Sequence, residues 1–288
     1  LTATIKVDHP EFLRPGGRID TQARLNDYTA ALEAWMTGQQ SVRDIVLVDN
    51  SGHSLDALRE VTERHRHTGK RVELISHHTT GYSAIRGRSY GELDIIDTAL
   101  QRSVLLQEAD HVAKVTGRVF IPNFDAIVTA LAADFDIVGR LSHNLTWLET
   151  VFVLARRSVL VERLLPFALE HVDDHARLHI ERVMASACLH SIADGCRWYP
   201  FPTEPRFRGT RGLDNRPYPS GRIRARILDF FHEPCERDWD SAKVAAMRNA
   251  STQGELFADE AWYVTGLMLL TWYVGGLLHH APSLLAFT

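Results

Sequence analysis

The chain is poor in cysteine and has no net positive charge. Its 288 residues include three cysteines, Cys188, Cys196 and Cys235, with no CxxC pair among them. That number and spacing exclude a disulfide framework and a cysteine-based metal knuckle, and they suit a reducing compartment. The formal charge is −4, so no overall basic field draws the chain to nucleic acid or to an anionic membrane. Internal repeats and low-complexity tracts are also missing. No charged n-region followed by an apolar h-region is seen near the start, and the first residue, Leu1, suggests a trimmed or excised piece.

What the chain does have is the balance of a globular α/β protein, 45% hydrophobic and 24% charged. Long uncharged runs are scarce. One, 261–278, spans 18 residues but is broken by Gly266, Gly275 and Gly276. It reads as a buried or membrane-surface helix rather than a full span.

Strand and helix patterns alternate through the first half. Strands are expected at 2–7, 44–52 and 71–76, with helices at 21–38, 54–67 and 92–106, and the strand "HVAKVTG" follows. This order predicts a mostly parallel sheet with helices on both faces. A strand at 150–157, helices over 158–172 and 174–195, and a Pro/Gly/Arg-rich loop at 198–221 come next. The division expected is a catalytic domain over 1–221 and a helical annex over 222–288.

In such sheets ligands lie beyond the carboxyl ends of the strands. Three polar segments fall there. "VDNSG" offers Asp49, Asn50 and Ser51 to a ribose or base, or simply forms a capped turn. "GYSAIRGRSYGE" puts glycines and arginines before a helix, where backbone N–H groups can approach phosphate, though a solvated loop would read the same. "KVTGR" sets Lys114, Thr116, Gly117 and Arg118 at a strand end, which suits an anion grip better than a surface ion pair to Asp110 or Asp125.

Further along, His171, His175 and His179 recur every four residues and would share a helical face. Without an HExxH-type partner they read as a polar face rather than a zinc site. Asp174 and Glu181 fall on one face of the same expected helix. A carboxylate there is either solvated or able to deprotonate a hydroxyl. "RFRGTRGLDNRPY" holds Arg206, Arg208, Arg211 and Arg216 among glycines, and suits either a surface loop or a segment closing over an anion.

Taken in order, these segments resemble bacterial glycosyltransferases with a GT-A-like fold, of the kind that builds surface polysaccharides. The matching run is an N-terminal strand, Arg24 and Tyr28 on the first helix, "VDNSG", Gly91 and Glu92 before a helix, K-x-T-G-R, and a later Glu181. It covers roughly residues 2–215. The resemblance implies that Asp49 and its neighbours contact the nucleotide of a nucleotide-sugar donor, and that a saccharide accepts the sugar. Family members usually carry Asp-x-Asp for a divalent metal where this chain has Lys114–Arg118. Lys114 and Arg118 would then neutralise the leaving phosphate directly, and no cofactor beyond the donor substrate is firmly implied. The literal "DFD" at 134–136 comes too late in the order for that metal role. Glu181 is the first choice for general base, with Asp174 and Asp125 in reserve. A cytoplasmic setting, at the inner face of a membrane through 261–278, goes with this reading. The rival readings are a nucleotide-binding module without transfer and a membrane-associated scaffold.

Overall fold

In the computed structural model, residues 1–218 are described, apart from 9, 11, 12, 14, 80–85, 143 and 213. The expected annex, the 261–278 run and most of the glycine–arginine loop before Arg86 therefore lie outside the described residues.

Among the described residues seven strands form the sheet layer. Three parallel strands, β1 (Thr2–Ala3), β2 (Asp44–Asp49) and β3 (Arg71–Ser76), pair in the order β1-β2-β3. The other four are β4 (His111–Val115), β5 (Ile137–Val138), β6 (Phe152–Arg156) and β7 (Trp198–Tyr199), in the order β4-β6-β5-β7. Here β6 runs antiparallel to both neighbours, whereas β5 and β7 are parallel. A single parallel bridge, Thr2 to Thr116, joins the two groups, with the Gly117 N–H donating to the Thr2 carbonyl at 2.9 Å. Gly117 is required at this seam: a Cβ would stand 2.6 Å from the Thr2 carbonyl oxygen and 3.2 Å from the Tyr28 ring.

The period of two along each strand sorts its side chains between two cores. In β2, Ile45 and Leu47 enter the core under α1 (Thr21–Gly38) and α2 (Asp56–Arg64), while Val46 and Val48 face Ile95 of α3 (Arg88–Arg102). In β6, Phe152 and Leu154 join the first core. Val153 and Ala155 join the second, with α3 and α8 (Ile180–Ala193). The uninterrupted apolar strand at 44–49 is thus explained by cover on both faces. The expected α/β class, a sheet flanked by helices, is what the chain forms.

Helix α1 has the bounds its pattern predicts. Asp20 accepts from the Ala23 N–H at its start, and Lys70 donates to the carbonyls of Trp35 and Gln39 at its end. The Trp35 indole donates to the Val119 carbonyl at 2.8 Å and packs edge-on against Phe120 and Phe124, which fixes α1 to the segment after β4. The short α4 (Val104–Gln107) follows α3, and α5 (Phe124–Thr129) follows the β4 turn.

Several expectations need correction. The strand expected at 2–7 is confined to Thr2–Ala3, since side chains take the backbone groups of 4–6, and Trp198–Tyr199, expected as loop, pairs as β7. The span 158–172 is a helix but not a uniform one: α6 (Arg157–Val159) and α7 (Leu165–His171) flank a π turn over Leu160–Leu164. The helix expected from 174 begins only at Ile180. Asp173 accepts from the N–H groups of His175 and Ala176, and its backbone pairs with Leu178, so 173–179 fold as a turn. Short side chains that bind local backbone compete with helix in this way. His171, His175 and His179 consequently do not share a helical face.

Candidate functional site

Residues 4–6 leave β1 without a strand partner, and side chains take over their backbone groups. The Arg24 guanidinium donates to the Thr4 carbonyl, the Asp49 carboxylate accepts from the Ile5 N–H at 2.8 Å, and Ser51 Oγ accepts from the Lys6 N–H at 3.1 Å. Thr4 also donates to Asn50 Oδ1 at 2.7 Å, and its N–H donates to the Tyr28 hydroxyl at 3.0 Å. Asp49 is fully buried, and both its oxygens are used within this knot, the second by Ser51. "VDNSG" is therefore a brace that shapes the rim, with Asp49 holding the loop from beneath. Across the rim, the His77 N–H donates to the Asp49 carbonyl and the Gly52 N–H to the His77 carbonyl.

The two cations of "KVTGR" part company. Lys114 shares its face of β4 with Val112, and its stem lines a small apolar cavity with Ile96, Val153, Ile180 and Met184. Its ammonium donates to Glu92 on α3 and to the Thr150 carbonyl. Gly91 lies one residue earlier, its carbonyl 3.5 Å from Asn50 Nδ2. A charge at a core-facing position costs free energy unless paired and hydrogen-bonded, and Lys114 is both.

Arg118 is 9% exposed, yet its Nε and Nη1 find no hydrogen-bond partner among the described residues. The guanidinium lies 5.7 Å from the Tyr28 ring centroid on one side and against the Gly212 backbone on the other. A Cβ at Gly212 would stand 2.1 Å from Nη2, and one at Gly209 2.2 Å from the Arg118 carbonyl oxygen. The glycines of 206–218 thus let this strap close over Arg118, held by paired backbone bonds between Phe120 and Arg208. The strap brings Arg211, which donates to Asp214 at 2.7 Å and keeps a buried, unpartnered Nε. It also brings Tyr218, whose hydroxyl burial pushes up to about 12 against the pull of Arg118, with Glu149 and Glu92 raising it further.

Glu181 is in the first turn of α8, within electrostatic reach of Glu92, Arg88 and Lys114. Burial raises its carboxyl above the usual range and Glu92 adds to that, while its own N–H, Arg88 and Lys114 work against it. The Leu148 N–H donates to the Glu181 carbonyl at 2.9 Å. The strip 148–150 therefore runs from Glu181 to Lys114.

The two reserve carboxylates are placed differently. Asp174 accepts from the Ser89 N–H at 3.0 Å, from Ser89 Oγ at 2.5 Å and from His179 at 2.7 Å. Despite burial, those bonds hold its carboxyl below the usual range, and it caps α3 across the Gly87 turn rather than sharing a face with Glu181. Asp125 accepts from the N–H groups of Gln40 and Ser41, ahead of β2. It lies at the amino edge of the sheet, about 16 Å of strand away from the Asp49 rim, too far to act on a ligand there.

Asp134 and Asp136 of "DFD" are tied to Arg197 and Arg156 at the start of β5. Among the described residues no group of three His, Cys, Asp or Glu side chains could hold a metal, and no helix is long and apolar enough to cross a membrane.

Sequence reasoning did not find Glu149 or Thr150 as neighbours of the site, since each is near it only through packing. Arg88 and Tyr218 fall inside the quoted segments at 81–92 and 206–218 but were not singled out there. Arg211 was visible only as one arginine among four.

No family model matches the chain, and no curated protein matches it. Among solved structures, a mannosyltransferase from Pyrobaculum calidifontis, PcManGT, in complex with GDP-Man and Mn2+, is similar over 86% of this chain and 77% of that chain. The identity is 12% and the TM-score 0.45.

Proposed function

We propose that the chain is a GT-A-like glycosyltransferase that moves a sugar from a nucleotide-sugar to a carbohydrate hydroxyl, in bacterial surface-polysaccharide synthesis. The observation that carries this reading is Arg118: a buried guanidinium at the strand-end rim with two nitrogens that lack a partner among the described residues. Buried N–H groups without acceptors are costly, and an anionic oxygen satisfies them through charge-assisted bonds.

In this reading the bond between the anomeric carbon and the donor phosphate breaks, and the electron pair leaves with the phosphate. Arg118 stabilises that developing charge, assisted by Arg211 from the strap. Glu181 takes the proton of the attacking hydroxyl, its raised carboxyl being closer to neutral pH and so a better base. Asp49, Asn50 and Ser51 hold residues 4–6 in the shape that receives the ribose or base. Thr116 and Gly117 hold the seam from which Arg118 projects, and Gly91 and Glu92 anchor Lys114. Lys114 then contributes a background field rather than a direct grip, since its ammonium is already paired.

The test is a melting-temperature screen with UDP-, GDP-, CMP- and dTDP-sugars, each with Mn2+ and with EDTA. A donor at 100 times its Kd adds about 2.7 kcal/mol to stability. A rise that survives EDTA supports direct neutralisation by arginine; a rise seen only with Mn2+ replaces that part with a metal. If no donor raises the melting point, the reading fails. We place the enzyme in the cytoplasm at the inner face of a membrane, contacting it through 261–278. Failure of the full chain to sediment with anionic lipid vesicles would remove that placement.

A further inference from the structure

Three large apolar residues stand exposed among those described: Ile19, Val104 and Trp147. Only Trp147, 42% exposed, adjoins the candidate site. Its neighbour Leu148 is completely buried and binds the Glu181 carbonyl, and Thr150, three residues on, binds Lys114. Trp147 is therefore next in sequence to the strip that runs from Glu181 to Lys114, with its indole exposed.

Residues 142 and 144–147 around it are tied to one another by hydrogen bonds. The Ser142 N–H donates to the Trp147 carbonyl at 2.8 Å, and the Trp147 N–H donates to Ser142 Oγ at 3.1 Å. Asn144 Oδ1 accepts from Ser142 Oγ at 2.6 Å and from Thr146 Oγ1 at 2.9 Å, and Leu145 takes a left-handed conformation at φ 61°. A Leu with positive φ is unfavourable, so this loop keeps its shape at some cost. The indole's wide apolar face, left open to solvent beside the strip, is of a kind that can stack on an apolar ligand face.

We infer that Trp147 is the platform of an acceptor subsite, stacking its indole against the apolar C–H face of a pyranose ring whose hydroxyl is presented to Glu181. This rests on the transferase reading, and it names a residue that sets acceptor affinity. Trp147 touches the acceptor and takes no part in proton transfer, so its loss acts on acceptor KM and not on donor binding.

The experiment compares the wild-type chain with Trp147→Ala and Trp147→Phe on an array of immobilised saccharides ending in hexose, N-acetylhexosamine or uronic acid. The wild type is expected to retain a subset of these saccharides. Trp147→Ala should lose that retention by about tenfold, the range for truncating a buried aromatic anchor, and Trp147→Phe should restore most of it. Equal retention by wild type and Trp147→Ala overturns the inference, and so does a wild type that retains no saccharide. The donor-induced melting shift, measured on the same three proteins, is expected to be unchanged. Its loss in Trp147→Ala would mark a structural role and overturn the platform. Its absence in the wild type, with saccharide retention intact, would strike the donor reading alone.

Discussion

Lys114 and Arg118 are four residues apart, carry the same charge and are similarly buried, yet they do opposite things. Lys114 projects from the body of β4 into the packed layer between β4, α3 and α8, where Glu92 and the Thr150 carbonyl meet it. Arg118 projects from the turn after the strand, between Tyr28 and the Gly212 backbone, where nothing among the described residues accepts from Nε or Nη1. One cation is spent on holding the fold together; the other is held ready by it. The difference teaches that charge type and burial do not separate the two residues, whereas hydrogen-bond satisfaction does, and the proposed anion site rests on that contrast.

The comparison breaks most sharply at Arg118. Arg118→Met should lower glycosyl transfer by about 10²–10³-fold, the range for removing one donor to a developing oxyanion. Urea unfolding should shift little, since no hydrogen bond to Nε or Nη1 is lost. Transfer within about threefold of wild type would remove Arg118 from the anion site.

Lys114→Met should do the reverse. Leaving Glu92 without its partner costs about 3 kcal/mol of unfolding free energy. Adding Glu92→Leu should recover most of that, because removing both charges is far cheaper than removing one. A double variant as unstable as the single one would show that the pair is not what Lys114 contributes.

A smaller effect is expected at the seam between the two cations. Gly117→Ala meets the Thr2 carbonyl oxygen at 2.6 Å, and the strand must shift to relieve it. A loss of about 2 kcal/mol in urea unfolding is expected. A neutral result would mean that the two halves of the sheet slide freely past each other.

The smallest effect concerns the carboxylate that turned out to be structural. Asp174→Asn should cost about 1 kcal/mol at pH 7, the difference between a hydrogen bond to a charged acceptor and one to a neutral acceptor. The folded carboxyl lies below its unfolded value of 3.8, so this contribution is present above pH 3.8 and is lost as pH falls through the folded value. Wild type and variant should therefore converge in acid. A gap that stays constant from pH 7 to pH 2.5 would assign the effect to packing against Ser89 and His179 instead of charge.

Much of the fold was legible because it rests on local rules. The bounds of α1 and β3 follow from helical spacing and from an apolar run between turns. The apolar run of β2 announced a strand covered on both faces. The helix start at Ile180 was not legible, because Asp173 and Asp174 look like capping residues for the run after them. In fact Asp173 closes a turn and Asp174 reaches across to cap α3. Glu181 was picked for a helical face shared with Asp174 that does not exist; it nevertheless lies beside Glu92 and Lys114 because α3, β4 and α8 pack together.

The sequence by itself determined which segments become strands and helices, and that polar groups collect at the carboxyl ends of the strands. Periodicity and turn chemistry act over a few residues, so they are written where they act. Which cation is paired was decided only by the tertiary structure. Glu92 lies 22 residues from Lys114, and the glycine that covers Arg118 comes 94 residues after it, at Gly212. Hydrogen-bond satisfaction depends on distances between parts of the chain that no local pattern encodes, and the chemistry of the site rests on it.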